Sequence, residues 1–470
     1  MASIIQLTDR SRYELGLDRC QRARWLNTSF GPSGYGIAKR AQSIPLASGS
    51  AYHVGLAHLL KWVECFDKDP LLDIGPIPDT VVRDACRIAC EGYAKGVAAR
   101  GLVDEGHRLE VVVAEQQALI SGFIWAFALS LLPDIRSHSR VISVEHDDAK
   151  VLSCSCGLGD LIGTLADHEA RDCEGIGFQF RLDLITEYRA RPGTLAYWEF
   201  KGTGQTGEMF ESKWETSPQF ALGAVMEQER LGHPIAEAWV IALIKGRREG
   251  DTWNPESKRR EGDLRQQSPL CYAYHRAGNP PLEEEDFQAE YEYRGEDGKG
   301  HRLGKGYTKI GIWEGFGPKL AGSGVSPSEF WCKWMPREVL ARQIMLIGPL
   351  QVSQVLSQGV IEELIAEEQR QKLIQWDLYQ VLQANEFDWT SQAYQAALRR
   401  LVPRSWSCRR FGKRHACQFE PICFEHSGWD DPLANGFIVR RPHHAHERAQ
   451  MESRGLLPPE GFAEDEDDGV

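Results

Sequence analysis

The stretch Gly177–Lys201 reads GFQFRLDLITEYRARPGTLAYWEFK, and the rest of the chain is organised around it. It divides into two short strands around an Arg191-Pro192-Gly193 turn. In the first strand Phe178, Phe180, Leu182 and Leu184 alternate with Gln179, Arg181, Asp183 and Ile185. In the second, Leu195, Tyr197, Glu199 and Lys201 share one face, because strand side chains repeat every two residues. Glu199 and Lys201 therefore point the same way, about 7 Å apart at roughly 3.3 Å per residue. A hairpin centred near residue 191 pairs position 183 with 199 or 200 and stands Asp183 beside Glu199. Two carboxylates and a lysine on one sheet face are what a divalent-metal hydrolase needs. The plainer alternative is a hairpin with solvated charges.

Outward from the hairpin, VISVEHD at 141–147 reads as a strand carrying Glu145. After the hairpin comes a loop, Gly202 to Thr216, freed by Gly202, Gly204 and Gly207. Ser217-Pro218 then opens a helix, serine as N-cap and proline at the first helical position, which puts Gln219 at its start. IAEAWVIALIK, 235–245, reads as a buried strand.

Upstream, the Gly/Pro/Ser-rich stretch from Gly31 to Gly49 predicts an ordered loop. From Ser50, AYHVGLAHLLKWVECF has helical spacing, with His53 in the first turn. Residues 79–100 and 104–132 read as two more helices. Downstream, 246–306 is polar and turn-rich, an insertion with short hairpins at most, and helical patterns return from Ser326 to Asn385. The fold class is α/β (α+β): a small mixed sheet flanked by helices. Residues 1–430 form one domain, and 431–470 form a polar tail ending in acidic residues that predict disorder.

The net charge of -13 over 470 residues looks wrong for a nucleic-acid enzyme until it is located. Residues 283–297 and the tail from Glu460 to Asp468 together account for the whole imbalance. Against them, Arg399 to Arg414 holds seven bases and no acid. A local basic patch on an acidic protein still attracts phosphates. The longest apolar stretch, around Ile120 to Leu132, has the length of a buried helix more than of a membrane span. The N-terminus, MASIIQLTDRSRYELG, lacks the basic-then-apolar order of a secretory signal, so a cytoplasmic, membrane-free protein is expected. No G-x-x-x-x-G-K-[ST] loop occurs, so no ATP motor is expected in the chain.

Twelve cysteines in such a chain favour metal or cofactor ligation over a disulfide framework. Cys65, Cys86, Cys90, Cys271 and Cys332 sit in apolar surroundings and read as small hydrophobes. Cys154 and Cys156, with Cys173 beyond, are three candidates for a small metal site whose ligand set is incomplete. Near the C-terminus Cys408, Cys417 and Cys423 follow a C-x8-C-x5-C spacing, with Cys20 near the other end.

The order of these residues resembles the PD-(D/E)XK nuclease superfamily, and specifically its RecB-like branch. That branch has a helix with His, a strand with Asp, a strand with (D/E)-x-K and a following helix with Gln. The matching residues are His53 in GSAYHVGLAHLL, Asp183 in RLDLI, Glu199-Phe200-Lys201, and Gln219 in SPQFALGAV. The resemblance implies that His53, Asp183 and Glu199 bind Mg2+ or Mn2+, that Lys201 assists the attacking water, and that Gln219 supports the site. The tyrosine often found one turn after the glutamine is absent, Gly223 and Ala224 standing there. Glu145 would stand behind the ligands.

AddB-type and CRISPR-adaptation-type nucleases of this branch place one cysteine before the catalytic motifs and three after. The same layout here implies a 4Fe–4S cluster on Cys20, Cys408, Cys417 and Cys423. The alternative is Zn2+ on Cys408, Cys417 and Cys423 with His415 or His426. Arg404, Arg409, Arg410, Lys413 and Arg414 are the expected DNA-phosphate contacts, with Trp406 and Phe411 available to stack on bases.

The expected function is a metal-dependent DNA exonuclease acting on single strands or ends, in recombination, repair or phage DNA metabolism. It would work beside a separate helicase or recombination protein, in the host cytoplasm if phage-encoded. A non-cleaving nucleic-acid-binding protein of the same fold and a zinc-stabilised structural protein are the rivals.

Overall fold

The computed structural model describes residues 5–449 apart from 10–11, 14–19, 30–35, 68–74, 103–108, 158–164, 272–291, 295–299, 303–325, 404–416, 425–435 and a few shorter breaks. From the N-terminus come β1 (Ile5–Thr8), α1 (Gln21–Thr28), β2 (Ile37–Lys39) and the long helices α2 (Ile44–Asp67), α3 (Asp79–Arg100) and α4 (Leu109–Ala126). A π-helical turn over Phe127–Leu131 leads into α5 (Leu132–His138). Then follow β3 (Ser139–Cys154), α6 (Leu165–Ala170), β4 (Gly175–Tyr188) and β5 (Leu195–Thr203). Next come α7 (Glu208–Glu215), α8 (Pro218–Leu231) and β6 (Ile235–Ile244). Two small hairpins, β7 (Arg248–Asn254) with β8 (Arg259–Gln266) and β9 (Glu292–Arg294) with β10 (Gly300–Arg302), precede α9 (Pro327–Trp334), α10 (Arg337–Ala341) and β11 (Ile344–Gln351). The chain closes with α11 (Gln354–Ala384), α12 (Gln392–Leu401), α13 (Glu420–Phe424) and β12 (Phe437–Val439).

The central sheet is mixed and has six strands. β3 covers the whole of one edge of β4, antiparallel. The other edge of β4 is shared: β1 pairs parallel with Gly175–Phe178, and β5 pairs antiparallel with Leu184–Glu187. β5 runs parallel to β6, which pairs antiparallel with β11. The edge of β4 from Gln179 to Asp183 therefore lies between two partners, and Asp183 sits where β5 departs.

Both faces of the sheet are covered, so β5 is buried along most of its length, as a strand between two helical layers must be. Ala196, Trp198 and Phe200 join α2, α3 and α4 in one core, while Leu195 and Tyr197 join α8 and α11 in another. A third core, of α1, α11, α12, α13 and β12, packs the two ends of the chain together. The run Leu109–His138 is long and apolar enough to cross a membrane, yet 67% of its most apolar window is buried inside the protein.

The central hairpin forms as the sequence predicts, with Leu184 opposite Trp198 and Gly193 in a left-handed turn (φ +80°). Several expectations are revised. α2 begins at Ile44, inside the stretch read as a loop, because Pro45 is tolerated in a first helical turn and Ala47–Gly49 continue the helix. His53 consequently lies well inside α2 and not in its first turn. The second of the paired helices begins at Leu109 and its α-helical part ends at Ala126. β11 interrupts the helical run expected from 326 to 385, since Ile344–Ile347 find a partner edge on β6. The strict alternation on β4 also fails: Phe178, Phe180 and Leu182 pack on the α8 side, but Leu184 packs on the α2 side. The faces exchange at Asp183. Cys65 is exposed, whereas Cys86, Cys271 and Cys332 are buried as expected.

Candidate active site

Three elements meet at the point where β4 changes face. The β3–β4 register runs from Val144 opposite Leu184 to His146 opposite Leu182, which places Glu145 opposite Asp183 between them. Glu145 adopts a left-handed backbone (φ +48°), a conformation that few non-glycine residues occupy and that clusters at functional sites. α2 crosses above and lowers His53 between the two carboxylates. His53 Nδ1 lies 3.4 Å from Asp183 Oδ1 and 3.6 Å from Glu145 Oε1. The ligand atoms of His53, Glu145 and Asp183 all lie within 4.8 Å of one another.

Each group is held from behind. Asp183 Oδ2 accepts the Phe200 backbone N–H at 2.6 Å, which ties β4 to β5 just past their last ladder pair. Glu145 Oε2 pairs with Arg181 Nε at 3.2 Å. The His53 ring stacks on Tyr52 and meets the edge of Phe200. On β5, the buried Glu199 carboxylate accepts the Tyr197 hydroxyl and pairs with Lys201 Nζ. The Lys201 and Arg181 side chains each keep 31% of their surface open to solvent, more than His53, Glu145, Asp183 or Glu199.

The charges of the site balance without an ion: Glu145, Asp183 and Glu199 face His53, Arg181 and Lys201. Burial opposes protonation of His53, but the Asp183 and Glu145 carboxylates outweigh it and hold its pKa up at about 10. Burial likewise opposes ionisation of Asp183, and the His53 and Lys201 charges pull its carboxyl below the ordinary range. Glu145 goes the other way, raised by burial and by Asp183 beyond what His53 and Arg181 restore. Tyr52 is pushed upward by burial and then by Asp183, while its hydroxyl interacts with the Gly202 backbone. A cation entering here must displace the His53 proton, since a ligating imidazole is neutral.

The structure thus brings together His53 and Asp183, with Glu199 and Lys201 on the adjoining strand. Glu145, expected behind the ligands, stands in the ligand group itself. Tyr52 and Arg181 are additional neighbours that the motif does not name. An acid within the apolar run of VISVEHD was the available signal for Glu145; its backbone conformation leaves none. Gln219 lies in the first turn of α8, and its side chain is outside the described residues.

At the far corner, Cys20, Cys423 and Cys417 gather in the core that joins the chain ends. Burial raises the Cys417 thiol, and the nearby Cys20 adds to that. Among the described residues these three do not converge within 4.8 Å as the His53 group does. Cys408, Arg404, Arg409, Arg410, Lys413, Arg414, Trp406, Phe411, His415 and His426 all lie outside the described residues. A second compact group, Cys154, Cys156, His168 and Cys173, also has its ligand atoms within 4.8 Å of one another and is suited to a metal ion. No protein-family model matches the chain, and no curated protein matches it.

Proposed function

We propose that this chain is a metal-dependent DNA nuclease of the PD-(D/E)XK type, an exonuclease acting on single-stranded DNA or DNA ends. The observation that carries the reading is the convergence of His53, Glu145 and Asp183 beside the Glu199–Lys201 pair. One imidazole and several carboxylate oxygens are a donor set suited to Mg2+ or Mn2+, hard cations that take oxygen ligands. A divalent ion held by His53, Glu145 and Asp183, with Glu199 in reserve, supplies Lewis-acid neutralisation of the scissile phosphate.

The chain's own residues do the rest. The Phe200 N–H holds Asp183 Oδ2, so Oδ1 stays directed at His53. Glu199 holds the Lys201 ammonium in place. Lys201, partly open to solvent, orients the attacking water and offsets charge that builds on the phosphoryl oxygens. Tyr197 occupies the second oxygen of Glu199, leaving the first for Lys201. Gln219, at the start of α8, is given a supporting role by the motif alone.

The same reading assigns a 4Fe–4S cluster to Cys20, Cys408, Cys417 and Cys423. Its support is the burial of Cys20 and Cys423, with Cys417, in the core that joins the two ends of the chain. A cluster spaces its cysteines further apart than a single ion does, because iron and sulfide lie between them. The bases at 404–414, interleaved in sequence with Cys408, would then contact DNA phosphates.

The test is digestion of end-labelled DNA by the purified full chain with Mn2+, on linear and circular, single- and double-stranded substrates. Cleavage of linear but not circular DNA is expected, with loss of activity in Asp183→Ala. Binding without cleavage of every substrate would leave a nucleic-acid-binding protein and overturn the proposal.

A further inference from the structure

The strongest unassigned chemistry lies at the opposite end of β4 from Asp183, about 26 Å along the strand at roughly 3.3 Å per residue. There β3 ends at Cys154, paired with Gly175 at the start of β4. The sequence C-x-C followed by H-x4-C supplies Cys154, Cys156, His168 and Cys173 from three segments: a turn after β3, the short helix α6, and the approach to β4. Their ligand atoms lie within 4.8 Å of one another.

Backbone hydrogen bonds hold these segments together without help from any ion. Ser155 N–H donates to Glu174 O at 2.6 Å, and Glu174 N–H returns to Ser155 Oγ at 3.2 Å. Cys173 N–H donates to His168 O at 3.0 Å, and Gly157 N–H to Cys154 O at 2.9 Å in a turn that needs the left-handed Gly157 (φ +76°). Gly175 permits the close approach of the strands, since a Cβ there would stand 2.0 Å from Ser153 O. Such a frame presents its side chains in one arrangement.

His168 is the informative member. It is fully buried (0% exposed), its Nδ1 faces Cys156 Sγ at 3.8 Å, and its Nε2 has no partner among the described residues. Burying an imidazole whose near polar neighbour is a cysteine sulfur is costly, because sulfur is a weak hydrogen-bond partner. A metal ion on Nδ1 replaces that weak partner with a strong one and leaves the ring proton on Nε2. With zinc–sulfur bonds of about 2.3 Å and zinc–nitrogen bonds of about 2.0 Å, a tetrahedral site spaces sulfur and nitrogen about 3.6 Å apart. The observed separation is within a few tenths of an ångström of that.

We infer that Cys154, Cys156, His168 and Cys173 form a structural zinc site, separate from both the nuclease centre and the cysteines at the chain ends. Three thiolates and one imidazole are a closed set with no position left for substrate, and soft sulfur donors select zinc over the hard ions of the His53 group. The site pins the turn after β3 and helix α6 to the start of β4, next to β1. Cys154 and Cys156 are joined as a disulfide in this structure, so loading follows reduction. A dithiol donates two electrons and is itself oxidised to a disulfide, and the two cysteine sulfurs each take up a proton. Zinc then displaces the protons of Cys154, Cys156 and Cys173, releasing three to solvent.

The test uses the full chain purified with a reductant and without chelator. Elemental analysis should find one zinc per chain that persists in Asp183→Ala and in Cys408→Ser, and is lost in His168→Ala and Cys173→Ser. Should those last two variants fail to fold, the wild type still decides. Cobalt in place of zinc should show sulfur-to-metal charge-transfer bands and the intense visible bands of tetrahedral ligation. Zinc should also shield Cys154, Cys156 and Cys173 from alkylation in peptide mapping. Reduced protein without zinc, zinc that leaves with Cys408→Ser, or alkylation of these three cysteines unaffected by zinc would overturn the inference. Iron, measured in the same samples, reports on the 4Fe–4S proposal independently.

Discussion

Glu145 carries an unfavourable backbone, and a side-chain-bearing residue in the left-handed region costs about 1–2 kcal/mol. Its carboxylate faces Asp183 and His53 and pairs with Arg181, and the proposed ion would give that costly backbone a use. Replacing it by glycine separates the cost from the use: Glu145→Gly should leave the thermal midpoint of the metal-free protein unchanged or raised, while Mn2+ affinity falls at least tenfold in calorimetric titration. A lower midpoint with unchanged affinity would contradict that role. Asp9 offers a test of buried charge elsewhere. Burial opposes its ionisation, but Arg12, Arg440 and His444 outweigh this and hold its pKa down from 3.8 to about 2. A depressed carboxyl stabilises the fold fully above its unfolded value and loses that stabilisation as pH falls through the folded one. Asp9 should therefore contribute about 2 kcal/mol at neutral pH, fading between pH 4 and pH 2. Urea unfolding of wild type and Asp9→Asn across that window should show the gap closing; a pH-independent gap would contradict it. Of the residues that converge here, Asp183, Glu199 and Lys201 were legible from the spacing of the hairpin, whereas His53 entered only through the resemblance to the PD-(D/E)XK superfamily. Glu145 was half-legible, its strand but not its place, since no residue type there announces a left-handed backbone.

At the level of elements, the hairpin was legible because strong two-residue periodicity flanks an Arg-Pro-Gly turn. β11 was not, because IMLI is a short apolar run that reads equally as helix until a partner edge is known. The start of α2 was hidden by Pro, Gly and Ser, residues that normally punctuate loops. One of the glycines in α2 has a packing reason to be there. A Cβ on Gly55 would lie 2.4 Å from Ile124 Cδ1, 2.9 Å from Ala89 Cβ and 3.0 Å from Ala85 O, so α2 lies tight against α3 and α4. Gly55→Val should cost roughly 1–3 kcal/mol through overpacking. Because His53 lies two residues away on the same helix, the variant should also weaken Mn2+ binding, which denaturant midpoints and metal titration would show together. Wild-type stability and affinity would mean that α2 does not need this crossing to present His53.

Across the whole molecule, the two chain ends are stitched to the sheet by buried charge. Arg12 pairs with Glu447, whose other oxygen accepts Gln179 Nε2 at 3.0 Å on β4. Thr8 Oγ1 and Arg24 meet on Glu368 in α11, and His444 Nδ1 lies 2.9 Å from Asp147 Oδ1 on β3. Residues 437–439 and Glu447, within the segment read as a polar tail, are therefore part of the packed structure; 450–470 lie outside the described residues. Removing one partner of a buried pair strands the other, so Glu447→Ala should cost roughly 3 kcal/mol, read as a fall in the denaturant midpoint. This long-range pairing had no local signature, since it links residues more than four hundred positions apart. We propose that a cation held by His53, Glu145 and Asp183 works with Lys201 to cleave DNA. The most direct measurement follows Mn2+ binding and single-turnover cleavage of end-labelled DNA together in wild type, Asp183→Ala and Lys201→Ala. Asp183→Ala should lose both, and Lys201→Ala should keep Mn2+ while its cleavage rate falls roughly 100-fold or more. Wild-type cleavage by Lys201→Ala, or Mn2+ binding undiminished in Asp183→Ala, would contradict it.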